Sequence, residues 1–403
     1  MAGRFTLLSL LVVVIVVGAW VVQPRTAVHE LLSPFSQTQL PSTQADEQKT
    51  YYVYGFAPFW SLQRTTIQPE LTHFAYFSLP ITEAGELDGI TTTGLSVSKT
   101  RWESERLRNT AATLRDDQEF AIVFTQFNNA SIRKILASPS ALRRYQESVA
   151  ELLETSPYPI TSVNIDIEYT GEASAELRAQ YVDFVKLTRA VLDQHQKQKR
   201  IELSFCVYAS AANKPWIWDI KALAPHVDHI VVMAYDFHRS SSPVAGPVAP
   251  VFGGKRYWDS DIITHLKEFI AIVPAEKLIL GVPFYGYEWQ TTSRDSRASV
   301  FPGTGSTASY TRVQAIIRDQ AEQNLQQHWD ELALSPYLTF TKNNRSHVIY
   351  YEDERSLSYK LDLVRDLNMA GIAIWALGYE NDAREPWDVI RQKLSPSQTT
   401  MIE

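Results

Sequence analysis

Val163-Asn164-Ile165-Asp166-Ile167-Glu168-Tyr169-Thr170 sets three polar side chains two residues apart inside a β-branched apolar run. Side chains at i, i+2 and i+4 of a strand project to one face. Ile165 and Ile167 therefore enter a core, while Asn164, Asp166 and Glu168 share the opposite surface. In a closed parallel barrel that surface is the lumen, and at the strand's carboxyl end it becomes an active site. Two carboxylates held this close are costly to bury unless partners or function compensate.

Outward from that strand, short apolar runs alternate with helical patterns from Tyr51 onward, the signature of βα units around a parallel sheet. Runs at 52–57, 73–78, 120–125, 162–168, 201–208, 229–235, 278–283 and 371–375 predict eight strands. That number closes an α/β fold of the (β/α)₈ TIM-barrel type. Between strands, Leu177, Tyr181, Phe184, Leu187 and Val191, and later Leu357, Leu361, Val364 and Leu367, recur every three or four residues and predict core-facing helix stripes. Between the seventh and eighth strands about 85 residues intervene, more than a helix and loop need. Residues 285–351 read as a small α+β insertion on the carboxyl face. It has a helical segment near 310–326 and two strands, 337–341 and 347–351, around the turn Lys342-Asn343-Asn344-Arg345.

The chain has 403 residues, 45% hydrophobic and 21% charged, with a net charge of −7. An acidic balance argues against nucleic acid as a partner. The single cysteine, Cys206, excludes an intrachain disulfide and a cysteine-rich zinc site, and its apolar surroundings make it a small core hydrophobe. His73, His229 and His238 lack metal-ligand spacing and read as core or rim residues, so no metal or cofactor is expected. Phe5 to Val22 is almost wholly apolar after Arg4, which makes residues 1–22 an export signal or a single-span membrane anchor. Residues 23–49, rich in Gln, Ser, Thr and Pro, follow as a flexible tether, residues 50–395 hold the barrel, and 396–403 form a tail. The expected location is extracytoplasmic, membrane-anchored or secreted, and the expected state is a monomer.

Two carboxylates on one strand have α-carbons roughly 6.6 Å apart, twice the strand rise. A double-displacement glycosidase sets nucleophile and acid on opposite sides of the scissile bond, which such positions supply poorly. Glu168, the outermost, suits a general acid, with Asp166 behind it to tune its proton and orient a substrate group. The nucleophile then comes from elsewhere, and an acetamido carbonyl on a sugar is the natural candidate.

With these residues in view, the chain resembles glycoside hydrolase family 18, the family of chitinases and related N-acetylglucosaminidases. The family's Asp-Gly-x-Asp-x-Asp-x-Glu motif lies over Thr161 to Glu168. The resemblance implies that Glu168 is the proton donor, that Asp166 holds the N-acetyl group as it attacks the anomeric carbon, and that Tyr235 contacts the acetamide oxygen. Met233-Ala234-Tyr235-Asp236 is similar to the sixth-strand motif, which makes Met233 and Asp236 sugar contacts. Gly281-Val282-Pro283-Phe284-Tyr285-Gly286 resembles the seventh-strand motif, and Trp375 falls where the family has a tryptophan floor. Asn164 stands where most members have the innermost aspartate, and Thr161-Ser162 replaces the leading Asp-Gly. Asparagine there resembles the branch of spore-cortex and other peptidoglycan-acting enzymes, and it removes a like charge beneath Asp166.

Taken singly, a Met-Ala-Tyr-Asp or a strand-borne tryptophan is more often packing than chemistry, and two strand carboxylates can be a buried ion network. Four motifs in order outweigh those readings. Of the aromatic residues near predicted strand ends, Trp60, Tyr76 and Tyr285 are expected to line the sugar site, with Asn164 also among its binding residues. The implied substrate is an N-acetylglucosamine-containing glycan, whether chitin, peptidoglycan or an N-glycan core. The alternative from another class is a lectin-like carbohydrate-binding protein on the same barrel, which the presence of Glu168 disfavours.

Overall fold

The computed structural model describes residues 49–88, 97–195, 199–320 and 322–395. The expected signal or anchor at 1–22, the tether as far as residue 48 and the tail 396–403 lie outside the described residues. Among the described residues no helix is long and apolar enough to cross a membrane.

Seven strands come first: β1 (Tyr52–Pro58), β2 (His73–Pro80), β3 (Glu119–Gln126), β4 (Ile160–Ile167), β5 (Glu202–Tyr208), β6 (His229–Met233) and β7 (Leu278–Pro283). An insertion then carries β8 (Tyr285–Thr291), β9 (Ser306–Ser309), β10 (Gln323–Asp330), β11 (Ser335–Lys342) and β12 (Arg345–Tyr350) before β13 (Gly371–Trp375). Strands β1 to β7 and β13 close a parallel barrel in the order β1-β13-β7-β6-β5-β4-β3-β2. The eight predicted strands are all present. β4 closes at Ile167 and β6 at Met233, so Glu168 and Tyr235 stand just past their ladders rather than within them.

The α-helices are α1 (Val97–Trp102), α2 (Glu105–Ala111), α3 (Asn129–Ala137), α4 (Pro139–Thr155), α5 (Ala175–Gln194), α6 (Ile220–Leu223), α7 (Ile262–Ile270), α8 (Tyr310–Asp319), α9 (Glu354–Asp366) and α10 (Glu385–Leu394). Their ends follow side-chain chemistry. Ser138 closes α3 and caps α4, accepting from the Ala141 amide. Asp353 and Ser356 form a reciprocal capping box on α9, a device worth about 1 kcal/mol. The predicted stripe on α5 buries Leu177, Tyr181, Phe184 and Val191. Leu187 lies at its edge, and Thr188 takes the core position, its hydroxyl 3.0 Å from that of Tyr145 on α4.

Alternation in the barrel strands decides what fills the lumen. Tyr54, Phe56, Ala75, Phe77, Ala121, Val123, Cys206, Val231, Ile279 and Ala373 pack there as one apolar cluster. Below it, at the amino-terminal mouth, Tyr52 donates its hydroxyl to Glu202 (3.0 Å), and His73 Nε2 lies 3.2 Å from the other oxygen of that carboxylate. Cys206 is buried here, inside the barrel rather than against the helices.

The insertion is a five-stranded antiparallel sheet in the order β10-β11-β12-β8-β9. Asn343 and Asn344 both take positive φ (49° and 59°) in the hairpin between β11 and β12, as a two-residue primed turn requires. The helix expected over 310–326 ends at Asp319, where Gln320 turns left-handed (φ 50°), and Gln323–Asp330 is strand β10. Pairing with β11 across the sheet overrides the helical preference of that glutamine-rich run. One sheet face packs Leu338, Phe340 and Ile349 against Val313 of α8. The other gathers Tyr285, Tyr287, Trp289, Val348 and Tyr350. Gly286 lets the strands meet, since a Cβ there would stand 1.9 Å from the Tyr350 carbonyl oxygen.

Candidate active site

At the carboxyl ends of the barrel strands lies a cavity of about 790 Å³, within the range of small-molecule and sugar sites. Asp166, Glu168, Tyr208, Met233, Tyr235, Asp236, Arg239, Tyr285 and Trp375 line it, with Trp60, Phe77, Phe127 and Trp216 at its walls.

Strand β4 delivers the acid pair. Asp166 lies opposite Thr125 in the register with β3, and just past the strand the Glu168 amide donates to the Gln126 carbonyl (3.1 Å). Asp166 is buried, and among the described residues its Oδ1 has no hydrogen-bond partner. Burial first, and the neighbouring Glu168 charge second, push its pKa well above the usual aspartate range. Glu168 is partly exposed to the cavity. Its pKa is also raised, chiefly by desolvation, with the Tyr208 hydroxyl donating to it and Arg239 nearby acting the other way. An unpartnered buried oxygen beside a second carboxyl with a raised pKa is an arrangement that clusters at functional sites.

Asn164 lies one step deeper. It donates from Nδ2 to Ser204 Oγ (2.8 Å) and accepts from the Cys206 thiol (3.2 Å). Fully buried and satisfied from β5, it supports the floor under Asp166 and does not line the cavity, contrary to its expected place among the binding residues.

Tyr235 and Asp236 follow β6. Gly281 on β7 makes room for the Tyr235 ring, because a Cβ there would approach Tyr235 Cε1 to 3.0 Å and the Val232 carbonyl oxygen to 2.7 Å. Burial pushes the pKa of the Tyr235 hydroxyl far above the ordinary phenol range, and the residue lines the cavity. Asp236 takes a left-handed backbone (φ 61°), uncommon outside glycine, and its Oδ1 accepts from Tyr285 (2.5 Å) and Tyr287 (3.0 Å). The inserted sheet is thereby joined to the loop that leaves the barrel.

Trp375 ends β13 with its ring 4.8 Å from Phe77 and 5.9 Å from Phe56, centroid to centroid. Trp60, 47% exposed, packs edge-on to Trp375 at 6.4 Å. Phe127, 50% exposed, stacks on Phe77. These rings form an apolar wall suited to sugar faces.

Tyr76 lies elsewhere than expected. Phe77 turns into the lumen, so its neighbour Tyr76 points to the helix layer, wholly buried against Trp102 of α1 (5.4 Å) and absent from the cavity. Strand alternation would have shown this once Phe77 was placed inside. Alternation also carried an unused signal for Tyr208, which shares its face with Ser204 and Cys206 on β5 and ends beside Glu168. Phe127 and Arg239, both on loops, had no periodic signal.

The sequence model described as glycosyl hydrolases family 18 matches residues 36–380. A Bacillus subtilis (strain 168) protein named as a putative sporulation-specific glycosylase, YdhD, is 28% identical over 256 residues, 62% of this chain and 54% of its own length. The cortical fragment-lytic enzyme of the same strain is 26% identical over 258 residues, again 62% and 54%. The chain thus spans about half the length of these two curated relatives. Among solved structures, a mutant chitinase of Cycas revoluta in complex with (GlcNAc)4 superposes with a TM-score of 0.71 at 19% identity, covering 85% of this chain and 99% of that one. At that identity the likeness speaks to the fold.

Proposed function

The chain belongs to glycosyl hydrolases family 18, and from that premise we propose that it hydrolyses β-1,4-linked glycans containing N-acetylglucosamine, with retention and with the substrate's own acetamide as nucleophile. The observation that carries this reading is the acid pair at the end of β4: a partly exposed Glu168 whose carboxyl pKa is raised by desolvation, outboard of a buried Asp166 with one oxygen unpartnered among the described residues.

Glu168 protonates the glycosidic oxygen as the leaving sugar departs. The acetamido oxygen attacks the anomeric carbon from the other face and closes an oxazolinium ring. Asp166 Oδ1 accepts from the acetamide N–H, which aligns the attack and balances the charge that develops there. Tyr235 donates its hydroxyl to the acetamide oxygen, and Asp236, held by Tyr285 and Tyr287, engages a sugar hydroxyl. Trp375 floors the reacting sugar. Glu168, now ionised, then takes a proton from water as it opens the ring.

The similarity to a cortical fragment-lytic enzyme supports peptidoglycan glycan strands as one substrate, beside chitin-type oligosaccharides. The apolar run from Phe5 to Val22 supports action outside the cytoplasmic membrane, anchored or exported. The test is to incubate the full chain with N-acetylglucosamine oligosaccharides and with purified cell wall, and to follow the first-formed anomer by NMR. Retained β-configuration, loss of turnover in Glu168→Gln and no cleavage of a hexose polymer without amide groups are expected. An inverted product, or turnover preserved in that variant, refutes the reading.

A further inference from the structure

The same cavity has a second set of chemical groups on the wall built by α7 and the loop before it. Asp261 caps α7, accepting from the Thr264 amide at Oδ1 and from the Gly254 amide at Oδ2 (2.8 Å each). This fixes Ser260 one residue ahead of the cap. His265 and Glu268, three residues apart, fall on one side of the helix. The result is a continuous chain: Ser260 Oγ lies 2.8 Å from His265 Nε2, His265 Nδ1 lies 2.8 Å from Glu268 Oε2, and Glu268 Oε1 accepts from Asn213 Nδ2 (2.5 Å). Ser260, His265 and Glu268 all line the cavity.

An ionised carboxylate only accepts hydrogen bonds. Glu268 therefore draws the imidazole proton to Nδ1 and leaves Nε2 to accept from the Ser260 hydroxyl, the arrangement that activates a serine in acyl transfer. Phe237 stacks on the imidazole (5.9 Å, 29°) and His265 is buried, so the ring is held in plane. A chain serving only to pin the start of α7 has no need to open its serine to the substrate cavity.

We propose that Ser260, His265 and Glu268 form a second catalytic centre that hydrolyses esters on the glycan, an O-acyl group on an amino-sugar hydroxyl. Ser260 Oγ attacks the ester carbonyl while its proton passes to His265 Nε2. The tetrahedral adduct collapses by breaking the bond to the sugar oxygen, which takes the proton back from Nε2. Water then attacks the acyl-serine, giving its proton to Nε2, and the carboxylic acid leaves as Ser260 recovers its hydrogen. Lys255 brings a positive charge to the same wall. The substrate class rests on the proposed glycan function, whereas ester cleavage itself uses none of the β4 residues, so loss of one activity without the other separates the two readings.

The test labels the full-length wild-type chain with a fluorophosphonate and maps the adduct by peptide mass. Acetate release is measured in parallel from 6-O-acetylated N-acetylglucosamine oligosaccharides. A Ser260 adduct is expected, with acetate release reduced at least about 100-fold in Ser260→Ala and in His265→Gln. No adduct at Ser260, or acetate release by Ser260→Ala equal to wild type, overturns the proposal. Adduct mapping uses the unaltered protein, so a folding defect in either variant leaves the test decisive.

Discussion

Glu168, just past the end of β4, stands two residues outboard of Asp166, and of the two Glu168 is the more open to solvent. Burial raises both pKa values, and the Glu168 charge is the second cause of the shift at Asp166. The pair therefore keeps a proton at a pH where exposed carboxyls have lost theirs. As a general acid, Glu168 must be protonated, so kcat/KM is expected to fall as pH rises and the pair gives up that proton. It should fall again at low pH, once both carboxyls are neutral and no charge is left to balance the oxazolinium. Glu168→Gln should lower turnover about 10²- to 10⁴-fold, with oligosaccharide affinity kept within a few-fold. Rate profiles and titration calorimetry on both proteins check this. A flat alkaline limb would remove Glu168 from the acid role.

Asp166 acts on stability as well as on chemistry. Its folded pKa lies above the unfolded value of about 3.9, so the folded state binds the extra proton. Stability is then fullest below the unfolded pKa and is lost as pH rises through the folded one. Asp166→Asn removes the ionisation and keeps the shape. Thermal melts should show the variant more stable than wild type at pH 8, the gap closing towards pH 4, while activity is lost. A variant that melts lower at pH 8 would contradict the burial of an uncompensated charge.

The barrel and the acid pair were legible because both depend on a period of two. Strand parity places Asn164, Asp166 and Glu168 on one face without any knowledge of partners. The same parity, applied to β2 and β5, would have turned Tyr76 outward and brought Tyr208 in. The sheet of the insertion was only half legible. Tyr285, Gly286, Tyr287, Glu288 and Trp289 alternate as a strand should, whereas Gln323–Asp330 is held as β10 by pairing with β11 rather than by its own sequence. Trp375 and Trp60 meet from opposite ends of the chain, and Arg239 is set by its loop, so their contacts belong to tertiary structure alone.

Tyr285→Phe tests the tie between sheet and barrel. It removes the 2.5 Å hydrogen bond to Asp236 and leaves Tyr287 as the remaining tyrosine donor to that carboxylate. Hydrogen bonds to charged groups contribute about 1.5–3 kcal/mol, so kcat/KM should drop roughly 10-fold or more. Adding Tyr287→Phe should cost more than the sum of the two single changes, because the second removal strands the carboxylate. Simple additivity in that double-mutant cycle would mean that Asp236 is held by other groups.

Trp60 and Tyr76 separate stacking from packing. Trp60 is nearly half exposed and meets Phe59, Phe77 and Trp375 in T-shaped contacts, which leaves part of its ring open to a sugar. Trp60→Ala should raise KM about 10-fold, a loss of about 1.4 kcal/mol, with kcat nearly unchanged, since a stacking platform holds ground state and transition state alike. Its melting temperature should fall less than for a fully buried tryptophan, because about half of the ring is already in solvent. Tyr76 is the internal control. Its hydroxyl is buried without a hydrogen-bond partner among the described residues, so Tyr76→Phe removes an uncompensated desolvation and should leave KM and kcat untouched while stability holds or rises. Steady-state kinetics and thermal melts on the two variants decide the matter: a KM effect at Tyr76, or none at Trp60, would place the sugar on a different wall of the cavity.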